Sequence, residues 1–170
     1  MVELEKTFLA KALPPDLDEC PHKVMMDIYY PAEQAHCHLR LRRRGDKYEI
    51  TKKYRLRPDD CSSLVENTIE LTQDEFAALA KAEGKRLKKL RYYLDYNGKL
   101  LEVDVFQDAL RGLVLIDVEF SSEEEKDNFV APDFCLAEVT QDSFLAGGVL
   151  CGKTHKDIGE HLKNYEYSKL

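Results

Sequence analysis

The chain has 170 residues, of which 44% are apolar, and its 25 lysines and arginines are outnumbered by 32 aspartates and glutamates, giving a formal net charge of −7. This composition predicts one globular domain over residues 1–170, and the acidic balance argues against nucleic acid as a partner, because nucleic-acid binding needs an excess of basic residues. No apolar run approaches the roughly 20 residues of a membrane span, and the first residues lack the pattern of a signal peptide. We therefore expect a cytoplasmic protein that has no membrane partner.

The cysteine pattern argues against a disulfide framework or a thiolate zinc site, because the five cysteines are widely spread and form no CxxC pair. We expect reduced thiols. His36-Cys37-His38 resembles a metal cluster, but in an extended segment the two histidines share one face and the cysteine takes the other. We therefore disfavour zinc at this segment.

Most of the predicted strands carry charged residues at positions i and i+2, which lie on one face of a strand. Taken in chain order, the predicted strands lie around residues 3–9, 39–42, 48–53, 65–70, 89–94, 101–106, 115–120 and 138–140. Turn signals stand at Arg44-Gly45-Asp46 and at Asn97-Gly98. These strands and turns therefore predict a series of antiparallel hairpins.

The charged pairs are of two kinds, and each pair by itself is typical of a solvent-exposed strand face. The acidic pairs are Glu3/Glu5, Glu102/Asp104 and Asp117/Glu119, and the basic ones are Arg40/Arg42 and Lys89/Arg91, with Lys53. Together they would crowd like charges on one surface, unless a polyanion and a divalent cation bridge them. This pattern predicts an α+β fold in which a closed eight-stranded antiparallel barrel encloses a charged lumen.

Few helices are predicted. Thr72 and Ser122 begin two of them, and shorter helical segments are expected at residues 141–145 and 156–165. We expect all four to cover the outside of the barrel, where apolar pairs such as Val103/Val105 face outward. An apolar outer face also suggests a homodimer.

Seven motifs follow one another along almost the whole chain. They are Glu3-Leu4-Glu5-Lys6-Thr7, Arg40-Leu41-Arg42, Thr51-Lys52-Lys53, Lys89-Leu90-Arg91, the acidic strand Glu102–Phe106, Gly112-Leu113 with Asp117-Val118-Glu119, and Pro132 with Glu138-Val139-Thr140-Gln141-Asp142. In order and spacing they resemble the CYTH family of triphosphate tunnel metalloenzymes. That family includes inorganic tripolyphosphatases, thiamine triphosphatases and class IV adenylate cyclases.

The resemblance implies a metal-dependent hydrolase whose substrate is tripolyphosphate or a small organic triphosphate. Carried over residue by residue, it implies that Mg²⁺ or Mn²⁺ is held by Glu3, Glu5, Asp117 and Glu119, with Asp104 nearby. It also implies that the triphosphate is bound by Arg40, Arg42, Lys53, Lys89 and Arg91, and by Lys153 as a late lysine, for which a surface position is the alternative. The resemblance also implies that the catalytic residues are Glu5, Arg40, Lys89 and Glu119.

Two departures from the family pattern leave the activity open. Thr7 replaces the lysine that closes the first motif, and Lys6 stands one place early, on the opposite strand face. Residues 144–148 replace a Tyr-x-Asn segment. The alternatives are a class IV-type cyclase that makes cyclic AMP from ATP, and a binding module that holds polyphosphate or a nucleotide without turnover.

Overall fold

The computed structural model describes residues 2–57 and 59–170, and these residues form nine β-strands and four α-helices. The strands are β1 Val2–Ala10, β2 His22–Tyr30, β3 Leu39–Arg44, β4 Lys47–Arg57, β5 Asp60–Leu71, β6 Lys85–Tyr96, β7 Lys99–Phe106, β8 Val114–Phe120 and β9 Cys135–Glu138. The helices are α1 Gln73–Leu79, α2 Glu123–Asn128, α3 Gly147–Leu150 and α4 His155–Leu162.

Eight of the described strands close into an antiparallel barrel in the order β1-β5-β4-β3-β2-β6-β7-β8. Strand β1 closes the ring, because its first residues pair with β5 and the following ones with β8. Glu5 lies opposite Glu119 in this second pairing. The predicted α+β class and closed eight-stranded barrel are thus confirmed.

The prediction of the eighth barrel strand was wrong. That strand is β2, whereas the segment expected around residues 138–140 contributes β9, a short strand that pairs with the end of β1 outside the ring. Strand β2 has an inward-facing Asp27 between mainly apolar neighbours, so it lacks the paired charges that mark the other strands. A signal based on paired charges therefore could not detect it.

The turn and capping chemistry behaves as expected. Asn97 and Gly98 join β6 to β7 with positive φ angles of 55° and 80°, which this pair of residues tolerates in a two-residue hairpin turn. The side chain of Thr72 accepts from the backbone N–H of Glu75, and the Glu75 carboxylate accepts from Thr72 in return, so the predicted capping box begins α1. Ser122 caps α2 in the predicted place.

The outer face of β1, β7 and β8 forms one of two apolar cores, with Phe8, Val103 and Ile116 among its buried residues. Phe129, directly after α2, covers it, because its ring centroid lies 5.3 Å from that of Phe120 and 6.0 Å from that of Phe8. Helix α2 therefore covers the barrel from outside, as predicted.

The second apolar core lies at one end of the lumen. Leu9, Leu87 and Leu115 stand on the inward strand faces, each two places from a polar or charged lumen residue. They cluster with C-terminal side chains: Leu145, Leu150, Ile158 and Leu162. The C-terminal segments, which were expected to cover the barrel from outside, lie outside the ring and cover one end of it. They pack against an apolar lumen end because leucines continue the charged stripes there, and burying these leucines is favourable.

The glycine pair at the start of α3 allows this close packing. A Cβ on Gly148 would lie 2.0 Å from the carbonyl oxygen of Cys37, and one on Gly147 would lie 2.3 Å from the Tyr29 hydroxyl. Any side chain at either position would push α3 away from the barrel.

None of the helices in the described part of the chain has the length and apolar character needed to cross a lipid bilayer.

Candidate active site

The barrel encloses a cavity of about 460 Å³ with a strongly charged wall. All of the sequence-predicted site residues except Lys153 line it, because alternate residues of each strand point inward. The residues brought together are Glu3, Glu5, Arg40, Arg42, Lys53, Lys89, Arg91, Asp104, Asp117 and Glu119. Residues that are up to 116 positions apart in the chain therefore share one space.

Four cations on β3 and β6, namely Arg40, Arg42, Lys89 and Arg91, form what we call the basic wall. Arg42 is held by Asp27 on β2, whose two carboxylate oxygens accept from Nε and Nη2 of the arginine, each at 2.7 Å. Both side chains are buried. Burial opposes ionisation of Asp27, but the Arg42 guanidinium outweighs it and holds the pKa of Asp27 well below its usual range. Arg42 is thus fixed by an ion pair on the inner face.

The other fixed part of the basic wall is centred on Asp104 of β7. Arg91 donates to both carboxylate oxygens, from Nε at 2.7 Å and from Nη2 at 2.6 Å, and Lys89 donates to Oδ2. Burial raises the pKa of Asp104, but Arg91 and Lys89 outweigh this effect and lower the pKa to about 2. Both oxygens of Asp104 accept from basic side chains here, and its role as a metal ligand stays a prediction.

Arg40 differs from the other members of the basic wall. In the described ranges, no carboxylate lies within ion-pair distance of its guanidinium, and its buried Nε makes no hydrogen bond. A buried donor without a partner is costly unless a ligand satisfies it. Arg40 is therefore the cation most available to a bound anion.

Five carboxylates on β1, β7 and β8 form what we call the acidic cluster, which consists of Glu3, Glu5, Glu102, Asp117 and Glu119. Removal from water raises the pKa of Glu5, and the neighbouring Asp117 and Glu3 raise it further. The pKa of Glu119 is raised in the same way, by burial and by Glu102 and Glu3. Like charges that resist ionisation together favour the binding of a cation.

One lysine enters the acidic cluster. Nζ of Lys53 lies 2.9 Å from a carboxylate oxygen of Glu3 and 3.3 Å from one of Glu5. It also lies 3.8 Å from an oxygen of Glu66 on β5. Lys53 was predicted as a triphosphate ligand, and the structure places its ammonium among the carboxylates that were predicted to bind metal.

The acidic cluster fits a hard divalent cation by the chemistry of its donors, since carboxylate oxygens are the ligands that Mg²⁺ and Mn²⁺ prefer. In residues 2–57 and 59–170, no three Asp, Glu, His or Cys side chains already converge as a metal site. The physical reason lies in the contacts of the cluster: the ammonium of Lys53 lies between Glu3 and Glu5, and Arg91 binds Glu102 and Asp117.

Thr7, which replaces the family lysine, lines the cavity and donates from Oγ1 to a carboxylate oxygen of Asp117 at 2.8 Å. Lys6 points to the other side of β1, where it pairs with Glu138 at 3.3 Å. The threonine thus orients one carboxylate of the acidic cluster and supplies no positive charge.

Lys153 does not join the site. It lines a separate cavity of about 380 Å³ outside the barrel, and its ammonium lies 5.4 Å from the centre of the Phe144 ring. Its predicted contact with triphosphate does not fit this position. The cause is the placement of α3 and α4 at the lumen end, which directs the loop between them away from the charged zone.

Two residues of the site had no role predicted from the sequence, although one of them, Glu102, belongs to a recognised charged pair. Asp27 fixes Arg42, and its only signal is an aspartate inside a mainly apolar strand. Glu102 accepts from Arg91 and belongs to the acidic cluster, and its signal is the spacing of two from Asp104. At the disfavoured zinc segment, the His36 and His38 rings lie 4.2 Å apart at the cavity wall.

No family model matches the chain. A curated relative, the inorganic triphosphatase of Nitrosomonas europaea, is 34% identical over 145 residues, which cover 84% of this chain and 91% of the relative. The crystal structure of the inorganic triphosphatase NE1496 has 30% identity and a TM-score of 0.64, and the match covers 88% of this chain and 93% of that one.

More distant structures share the fold. A putative adenylate cyclase from Bacillus halodurans matches 99% of this chain and 91% of its own with a TM-score of 0.54, at 16% identity. Motif order, barrel closure and an extensive match to a relative above 30% identity agree with one another. The chain therefore belongs to the CYTH family of triphosphate tunnel metalloenzymes.

Proposed function

We propose that this protein is a divalent-metal-dependent triphosphatase that hydrolyses tripolyphosphate or a small organic triphosphate. The observation that carries the proposal is a basic wall and an acidic cluster facing one enclosed cavity, with Arg40 lacking a carboxylate partner in the described part of the chain. The 34% identity to a protein named inorganic triphosphatase supports the same reaction.

The basic wall is suited to a chain of phosphates because three of its four cations are fixed by buried carboxylates before the substrate arrives. Asp27 uses Nε–H and one N–H of Nη2 of Arg42, so this pair leaves over the two N–H groups of Nη1 and the second one of Nη2. Arg40, which has no carboxylate partner in the described residues, can offer a phosphate donors of its planar guanidinium. Preorganised cations stabilise the charge that develops on the phosphate oxygens in the transition state without first having to reorient.

We propose that Glu3, Glu5 and Glu119 hold Mg²⁺ or Mn²⁺, with Asp117 oriented beside them by Thr7. A divalent cation supplies neutralisation of phosphate charge and polarisation of a bound water. The carboxylates of this chain determine the position of the divalent cation. The apolar lumen end with Leu9 and Leu115 closes the cavity on one side.

In hydrolysis, the oxygen of a water forms a bond to the terminal phosphorus in line with the leaving group. The phosphoanhydride bond breaks, and the remaining pyrophosphate part leaves with the electron pair. Arg40, Arg42, Lys89 and Arg91 balance the charge on the transferred and leaving groups. No covalent intermediate with the protein is needed.

The first experiment is product analysis with tripolyphosphate, ATP and thiamine triphosphate, each with Mg²⁺, Mn²⁺ or EDTA. We expect phosphate release that depends on the metal, and the relative rates rank the three substrates. Release that is unchanged in EDTA would contradict the metal dependence. Formation of cyclic AMP and pyrophosphate from ATP would support the cyclase instead, and tight binding without product would support the binding module.

The expected homodimer stays a prediction. Val24 and Met26 on the outer face of β2 are 41% and 42% exposed, which is unusual for neighbouring apolar side chains and supports a protein contact there. Light scattering on the purified protein measures the mass directly.

A further inference from the structure

We infer that Lys53 acts as a built-in competitor for the divalent cation: its ammonium occupies the acidic cluster in the ligand-free protein and must leave before the metal binds. The inference rests on the proposed function, and it adds an order to binding. It assigns Lys53 a positioning role that changes between two states.

The contacts of Lys53 carry the first step. Its ammonium lies 2.9 Å from Glu3 and 3.3 Å from Glu5, and these are two of the three carboxylates assigned to the metal. About a quarter of its side chain is exposed, so little water intervenes. A third carboxylate, that of Glu66, lies 3.8 Å away, and carboxylates on several sides stabilise a charged ammonium. The group in the cluster is therefore a cation.

The second step follows from charge. The position between Glu3 and Glu5 is the place where both carboxylates can reach one cation, and a divalent ion there would repel the ammonium at close range. The two cations therefore exclude each other. Binding of metal alone has to displace Lys53 into a lumen that already holds the basic wall, which is unfavourable.

The third step is where the lysine goes. Residues Lys53 and Thr51 share the inward face of β4, and Thr51 lies opposite Arg40 on β3. The four-carbon stem of a lysine lets its ammonium rotate without backbone movement. A triphosphate bound at Arg40 would attract Lys53 out of the acidic cluster and open it to the metal. Metal and triphosphate would thus favour each other's binding through Lys53.

The experiment is calorimetric titration of the ligand-free protein with Mn²⁺ alone at pH 8. We expect Lys53→Met to bind Mn²⁺ about tenfold more tightly than the unchanged protein, or tighter still, because the competing charge is gone. Lys53→Gln serves as a second variant if the first does not fold, with folding checked by thermal melting.

Two controls isolate the position of the charge. Lys52→Met removes the same charge one residue away, on the exposed outer face of β4, and we expect it to leave the affinity for Mn²⁺ unchanged. Lys53→Arg keeps the cation, and we expect weak binding to persist. Equal or weaker Mn²⁺ binding by Lys53→Met and Lys53→Gln would overturn the inference.

The proposed function is tested separately by turnover of tripolyphosphate by the unchanged protein. If that protein hydrolyses tripolyphosphate but removal of the Lys53 charge does not tighten Mn²⁺ binding, the inference fails and the function stands. If removal of the Lys53 charge tightens Mn²⁺ binding but the unchanged protein hydrolyses no triphosphate, the inference about Lys53 is supported and the proposed function fails.

Discussion

The basic wall and the acidic cluster face the same cavity, but their charges are compensated differently. In the basic wall, Arg42 is held by Asp27, and Lys89 and Arg91 by Asp104, so three of its four cations have buried partners. In the acidic cluster, Glu3 and Glu5 share one lysine, and Glu119 has a raised pKa. All of the wall's cations except Arg40 are therefore compensated without a ligand, whereas the cluster still favours an added cation.

This difference explains how one lumen can bind both a polyanion and a metal. A phosphate chain is recognised best by donors that are already fixed, since fixing them at binding costs conformational entropy. A divalent cation needs carboxylates that are not yet neutralised. Four changes test whether the two regions differ in this way.

The largest effect is expected for Asp104→Asn, which removes the fixed partner of Lys89 and Arg91. Breaking a buried ion pair by removing one partner typically costs about 3 to 5 kcal/mol of unfolding free energy. Urea unfolding measures this loss. The exposed Asp133→Asn is the matched control and should stay near the unchanged protein. An unaltered unfolding midpoint for Asp104→Asn would show that Asp104 does not hold the wall together.

Arg40→Ala is the sharpest test of the wall as a substrate site. We expect kcat to fall by roughly 100- to 1,000-fold, the typical loss when one preorganised charge-stabilising donor is removed. Folding stability should change little, because no carboxylate in the described residues depends on Arg40 as an ion-pair partner. Arg43→Ala, on the outer face of the same strand, is the control. A stable Arg40→Ala variant with full activity would refute the site assignment.

The two regions are expected to respond to acid in opposite directions. Asp104 has a lowered pKa, about 2, so it contributes stability that is present above its ordinary pKa of 3.8 and is lost as pH falls toward 2, about 2 kcal/mol in total. Glu5 and Glu119 have raised pKa values, so their contribution is present below 4.5 and is lost as pH rises through the raised values.

Together these shifts predict that Asp104 loses its contribution on the acidic side, and Glu5 and Glu119 lose theirs on the alkaline side. Urea unfolding of the metal-free protein between pH 2 and pH 8 measures the dependence. Replacing Glu119 with Gln should flatten its alkaline side, and Asp104→Asn its acidic side. An alkaline side that Glu119→Gln leaves unchanged would contradict the surplus charge of the acidic cluster.

The smallest effect is expected for Thr7→Val, which removes the hydrogen bond to Asp117 at nearly constant volume. A hydrogen bond to a charged group contributes about 1.5 to 3 kcal/mol at most, and Asp117 keeps its contact with Arg91. We therefore expect a few-fold loss of Mn²⁺ affinity, measured by titration, with little change in unfolding. Thr68→Val, elsewhere on the cavity wall, is the control. Equal affinities in Thr7→Val and the unchanged protein would show that Thr7 does not orient the metal ligands.

Most of the barrel and the composition of its lumen could be predicted from the sequence alone. Paired charges such as Glu3/Glu5 and Lys89/Arg91 have a period of two, and that period alone decides that both members of a pair share a strand face. The hairpin turns and the caps at Thr72 and Ser122 are also local, because each depends on residues within a few positions.

Which charges neutralise one another, and where the C-terminal helices lie, could be seen only in the tertiary structure. Asp27 reaches Arg42 because the two residues are paired across β2 and β3, and Lys53 on β4 reaches Glu5 on β1 past β5 because the ring is closed, and no local pattern records these contacts. Likewise, the leucines of α3 and α4 would suit an outer face or a lumen end equally well. The barrel decides between them, because its charged stripes end in Leu9, Leu87 and Leu115, which bury their apolar surface against these helices.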